Sequence, residues 1–111
     1  MIVKLINTFT TDNRKITSIE INKEYEVIGI ESDDYRIIDN KNEPILFDHK
    51  CFTVVDPMKP KFWLCKTGSE NEEYCYPEEW SNPGFFEDYF NRNESVIEKF
   101  WEIYNSLYRH M

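Results

Sequence analysis

Between Thr67 and Phe90 the chain carries seven acids, Glu70, Glu72, Glu73, Glu78, Glu79, Glu87 and Asp88, and no Lys or Arg. Seven aromatics are interleaved with them: Tyr74, Tyr76, Trp80, Phe85, Phe86, Tyr89 and Phe90. Carboxylates without compensating cations speed encounter with a cationic protein and discriminate among partners, and adjoining rings supply desolvated contact area. The expectation is a protein-binding surface in which Glu70, Glu72, Glu73, Glu78, Glu79, Glu87 and Asp88 provide charge and Tyr74, Tyr76 and Trp80 are the anchors. Phe85, Phe86, Tyr89 and Phe90 fit either that surface or a core beneath a loop.

The other reactive side chains argue against catalysis. His49 stands two residues from Cys51, but a thiol nucleophile needs a base within reach and a third group to orient that base, and nothing nearby supplies one. His110 lies at the extreme C-terminus, where fraying is expected. A structural zinc site needs four ligands at compact spacing, and Cys51, Cys65 and Cys75 are too dispersed. Asp33, Asp34, Asp39 and Glu43 lack the twelve-residue calcium pattern and read as turn residues. The expectation is therefore no enzyme, no metal and no cofactor. Arg36, an isolated cation among carboxylates, reads first as an ion pair across the turn or sheet and second as an interface arginine.

At 111 residues the chain has the length of one ordinary domain, residues 1–111. A formal charge of -8 argues against a protein that holds nucleic acid by its phosphates. The opening MIVKLINTFTTDNRK lacks the apolar stretch and cleavage site of a signal peptide, and no run has transmembrane length, so a cytosolic protein is expected. Three scattered cysteines fit reduced thiols in that compartment.

The elements that must carry these groups are short. Met1 to Ile6, Glu24 to Glu31, Tyr35 to Ile38, Ile45 to Phe47 and Phe52 to Val55 read as strands separated by polar turns, which predicts a small, strongly curved antiparallel sheet or barrel. Trp63 to Lys66 and Tyr74 to Tyr76 form an added hairpin around TGSENEE, in which a symmetric register sets Cys65 opposite Cys75. That register permits a disulfide, but reduced thiols are expected there. Two prolines and a lone glycine exclude a continuous strand or helix over Pro77 to Gly84. From Glu94 to Arg109 apolar residues recur every three or four positions, predicting an amphipathic helix capped by Asn91 or Asn93. Its charged face, Glu94, Glu98 and Glu102 against Lys99 and Arg109, has the wrong sign for anionic lipid, so no membrane partner is expected. The helix should dock on the sheet through Phe100, Trp101, Tyr104 and Leu107.

The stretches Tyr25–Asp39, Glu43–Phe47, Phe52–Asp56 and Pro83–Phe90 together resemble a family of small bacterial SH3-like barrel proteins. The resemblance spans residues 24–90 and implies a mainly β fold, an SH3-like small antiparallel β-barrel with the hairpin and one α-helix added. Small acidic proteins of this kind are similar to immunity proteins encoded beside polymorphic or contact-dependent toxins. That likeness implies a cognate toxin domain as partner; the acidic surface, which suits a cationic phosphate-binding groove, adds the expectation that this toxin is a nuclease whose groove it covers. It carries no residue-level motif. The alternatives are an SH3-like module for a protein or peptide of another bacterial pathway, and a small enzyme of unrecognised type.

Overall fold

Alternating apolar and polar residues in short runs, punctuated by Asn, Asp and Ser, build eight antiparallel strands. The computed structural model describes residues 1–109, so His110 lies outside the described residues. The strands are β1 (Ile2–Leu5), β2 (Glu24–Glu26), β3 (Gly29–Glu31), β4 (Asp34–Ile38), β5 (Pro44–Phe47), β6 (Phe52–Asp56), β7 (Trp63–Thr67) and β8 (Glu73–Pro77). Two helices follow, α1 (Phe85–Phe90) and α2 (Glu94–Leu107). Single 3-10 turns occupy His49–Cys51 and Glu78–Trp80.

Two sheets result, one in the order β2-β1-β6 and the other β5-β4-β3-β8-β7. The predicted strand 24–31 is divided between them. Val27 N–H donates to Met1 O at 2.9 Å in the first sheet, and Ile28 N–H donates to Arg36 O at 2.9 Å in the second, so the chain changes sheets between adjacent residues. The fold is mainly antiparallel β with a C-terminal helix, as expected. The two sheets retain free edges and do not close into a continuous ring.

Turn chemistry holds the hairpins. Ser32 and Asp33 both have positive φ, 50° and 70°, between β3 and β4, the requirement of the tight turn whose twist matches paired strands. Between β4 and β5, Asn42 takes φ 57°, while the buried Asp39 carboxylate accepts from Lys41 and Glu43 N–H at 2.9 and 3.0 Å. Asp33 and Asp39 serve turns, as their spacing implied, whereas the carboxylates of Asp34 and Glu43 engage His49 and Arg92.

The alternating faces of the five-stranded sheet pack into two cores. One lies between the sheets and includes Val3, Leu5, Tyr25, Ile30, Ile37, Phe47, Phe52, Trp63 and Cys75. The other lies between the opposite face and the helical segment, with Ile28, Tyr76, Trp80, Phe85, Phe86, Tyr89, Phe100 and Tyr108. Phe62 packs against both. Helix α2 is capped by Asn93, whose carboxamide oxygen accepts from Val96 N–H at 3.4 Å. The capping alternative at Asn91 is excluded because Asn91 closes α1. Phe100 is fully buried, Trp101, Tyr104 and Leu107 lie half-buried against the same core, and Tyr108 donates its hydroxyl to Ile28 O at 2.6 Å while accepting from Trp63 Nε1 at 2.8 Å. The helix is thus tied to the strand that changes sheets.

The hairpin register is as predicted, Cys65 opposite Cys75, but the thiols are not reduced. The two cysteines form a disulfide across a Cα separation of 4.2 Å. They occupy a pair without mutual backbone hydrogen bonds, where strands approach most closely and two sulfurs can meet. Disulfides persist in oxidising surroundings, so the cysteines no longer support the cytosolic expectation. Among the described residues no helix is long and apolar enough to cross a membrane.

Candidate functional site

Helical segment and sheet enclose a cleft of about 260 Å³. Its floor comes from alternate residues of three neighbouring strands, Leu64 and Lys66 of β7, Tyr74 and Tyr76 of β8 and Glu31 of β3; its wall is the turn from Trp80 to Glu87. The period-2 geometry of strands puts these floor residues on one face. Gly29 lets the floor lie flat: a Cβ there would meet the Tyr76 ring at 2.1 Å, so the backbone beneath that ring has no room for a side chain.

A polar triad, with Arg36 and Tyr76 buried and Glu31 at its solvent side, fixes the floor. Arg36 is 5% exposed. Its Nη2 donates to Glu31 Oε1 at 3.0 Å, its Nε to the Tyr76 hydroxyl at 3.0 Å and its Nη1 to Pro44 O at 3.0 Å. The Tyr76 hydroxyl in turn donates to the same Glu31 oxygen at 2.9 Å. The guanidinium carbon sits 4.0 Å from the Phe86 ring centroid, a cation-π placement in a desolvated setting. Of the two readings of Arg36, the ion pair across the sheet is what the geometry realises. Burial pushes the Tyr76 phenol well above its ordinary range.

Several expected contact residues are engaged elsewhere. Trp80 is 1% exposed and stacks on Phe100 at 4.5 Å and Tyr108 at 5.5 Å. Tyr76 is 8% exposed. Neither is the surface anchor the sequence suggested, because their ring area is already spent inside the fold. Tyr74, half-buried beside the exposed Leu64, remains an available ring. Phe85, Phe86 and Tyr89 are core, and Phe90 is exposed.

The acids divide similarly. Glu72 folds back within the hairpin loop, its Oε1 accepting from Glu70 N–H at 3.1 Å. Glu73 pairs with Lys59. Glu70, Glu78, Glu79, Glu87 and Asp88 have no ion-pair partner among the described residues. Glu87 lines the cleft, and Lys66 is the exposed cation of its lining. The sequence missed Glu31, Leu64 and Lys66 as cleft residues. Their signal was alternation: each shares the strand face of Tyr74 or Tyr76.

A second depression gathers Asp34, Asp48 and His49, whose ligand atoms lie within 4.8 Å of one another. Each carboxylate has local work. Asp34 Oδ1 stands 2.8 Å from His49 Nδ1 and accepts the His49 N–H at 3.1 Å. Asp48 accepts from Thr11 N–H and Oγ1 at 2.7 and 2.6 Å and caps the 3-10 turn through Lys50 N–H at 3.0 Å. Cys51 is buried and donates to Phe9 O at 3.3 Å. Burial raises its thiol pKa, away from the thiolate that a nucleophile requires.

No protein-family model, no curated protein and no solved structure matches the chain.

Proposed function

We propose that the protein is a binding protein of the immunity type, which inactivates a cationic toxin domain, a nuclease, by covering its substrate groove. The supporting observation is that Glu70, Glu78, Glu79, Glu87 and Asp88 carry charge without ion-pair partners among the described residues; Glu87 lines the aromatic cleft, and the other four belong to the β7–β8 loop, the 3-10 turn and α1, the segments that run into its lining. A nuclease groove must be positive to hold phosphates, so carboxylates compete for the same field without offering a cleavable bond. The anchor role passes to the Tyr74 ring and the exposed Leu64 side chain. Glu72 and Glu73 hold the hairpin from which Glu70 projects.

The chain order also supports an SH3-like half-barrel beneath this surface. A long loop follows β1, one bent strand is shared between both sheets as β2 and β3, and a 3-10 turn separates β5 from β6, which returns beside β1. The cleft favours a second reading, an SH3-like module that takes a peptide of another pathway.

Co-expression with the product of the adjacent gene discriminates the two. Under the immunity reading a complex co-purifies and the partner's lethal activity is suppressed. Survival of that activity with both proteins folded contradicts it.

A further inference from the structure

Strand β7 ends the five-stranded sheet with β8 as its neighbour. In an antiparallel ladder, hydrogen-bonded and non-hydrogen-bonded pairs alternate. Gly68 N–H donates to Glu72 O at 2.8 Å, so by the register Lys66 with Tyr74 and Leu64 with Tyr76 are the hydrogen-bonded pairs. Cys65 and Thr67 therefore turn their N–H and C=O groups away from β8, and they find no other backbone partner among the described residues. The 4.2 Å Cα separation of Cys65 and Cys75 agrees with that assignment.

Exposed edges recruit strands, and folds blunt them with prolines, register shifts or short length. Here β5 begins at Pro44, β6 has a register shift against β1 and stops before Pro57, and β2 is three residues long. By contrast β7 is five residues long, pairs with β8 in regular register, and is exposed from Leu64 to Thr67. Lys66 is its single charged guard. Directly beside this edge, on the face of Leu64 and Lys66, lies the aromatic cleft.

We infer that β7 and the cleft together bind an extended, basic segment, which adds to the sheet as a further strand and lays a Lys or Arg side chain over Tyr74 toward Glu87. This mode rests on the reading of a cationic partner and specifies how that partner docks. Main-chain bonds to Cys65 and Thr67 would set register, and alternate side chains would reach the cleft. Charge selects the occupant: Arg36 already neutralises Glu31, leaving Glu87 against Lys66 in the lining, and Glu70 in the β7–β8 loop with Glu78 and Glu79 just before Trp80 add three carboxylates that have no ion-pair partner among the described residues. The stem of a basic residue suits aromatic walls and its head suits a carboxylate.

The test uses the full chain with its disulfide intact and a labelled octapeptide of alternating Arg and Thr, followed by fluorescence anisotropy and by amide hydrogen exchange. The expected result is salt-sensitive binding that slows exchange at Cys65 and Thr67, is lost when Glu replaces each Arg, and weakens about tenfold or more in Leu64→Lys, an exposed position. Absence of binding, equal binding of the Glu peptide, or binding without protection of those two amides overturns the proposal. The whole cationic partner gives the separating measurement. Salt-sensitive binding with both amides unprotected defeats strand addition and leaves the acidic-surface reading standing, whereas no binding of that partner defeats both.

Discussion

The Tyr76 hydroxyl accepts a hydrogen bond from Arg36 Nε at 3.0 Å and donates one to Glu31 at 2.9 Å, joining β8, β4 and β3 beneath the cleft. Removing the buried Arg36 leaves the Tyr76 hydroxyl and Pro44 O short of a donor, while the half-exposed Glu31 can turn to solvent. Arg36→Ala should cost about 2–4 kcal/mol. Tyr76→Phe should cost about 1–3 kcal/mol, since one hydroxyl is lost and the ring remains. Glu31→Gln should cost least because Glu31 is partly solvated. Urea denaturation of the three variants checks that order.

The disulfide closes a short loop, Cys65 to Cys75. Restricting the unfolded chain over a loop of that size is worth about 2–3 kcal/mol. Cys65→Ser should lower the denaturation midpoint accordingly while leaving the hairpin register intact. Thiol titration of the unreduced, unfolded wild type should find one free thiol, Cys51; three would contradict the bridge.

Alkaline stability follows from Tyr76 and Tyr108, whose phenols are raised above 10.0, chiefly by burial. Above pH 10 the unfolded chain releases protons that the folded chain retains, so the unfolded state binds fewer protons and stability falls as pH rises. Below pH 10 both states keep them and the two tyrosines contribute no slope. Tyr108→Phe should flatten the alkaline limb in a series of urea midpoints, and an unchanged limb would refute this cause.

Helix docking is tested at Phe100, which is fully buried against Trp80. Phe100→Ala and Trp80→Ala should each cost about 3–5 kcal/mol. A wild-type melting midpoint for either would rule out the docked arrangement.

Local periodicity made the strands, the 65/75 register and the amphipathic α2 legible in the sequence. What it left open depends on tertiary surroundings. Trp80 has the composition of a surface anchor, sitting after two glutamates, yet Phe100 and Tyr108 from distant positions enclose it. The register that sets Cys65 opposite Cys75 follows from local alternation, whereas their oxidation state depends on the compartment, which residue spacing does not report. Helix α1 was missed because it has only six residues and starts from Gly84 at φ 81° after Pro83. Its signal was the spacing of Phe85 and Phe86 from Tyr89, one short apolar stripe. For the site, the acids were visible as composition, but the diversion of Glu72 into the loop and of Glu73 to Lys59 depends on the folded hairpin.

The central claim is that the unpaired carboxylates of residues 70–88, Glu87 in the cleft among them, steer a cationic protein onto this surface. It is tested most directly by the association rate constant of the co-purified partner as a function of salt, for wild type and for a variant in which Glu70, Glu78, Glu79 and Glu87 are all Gln. Peripheral charges act on encounter and are screened by salt. The account predicts a wild-type rate that falls steeply with salt, and a folded variant that associates about tenfold or more slowly at low salt with a shallow salt dependence. Equal rates and equal salt slopes for the two folded proteins would contradict it.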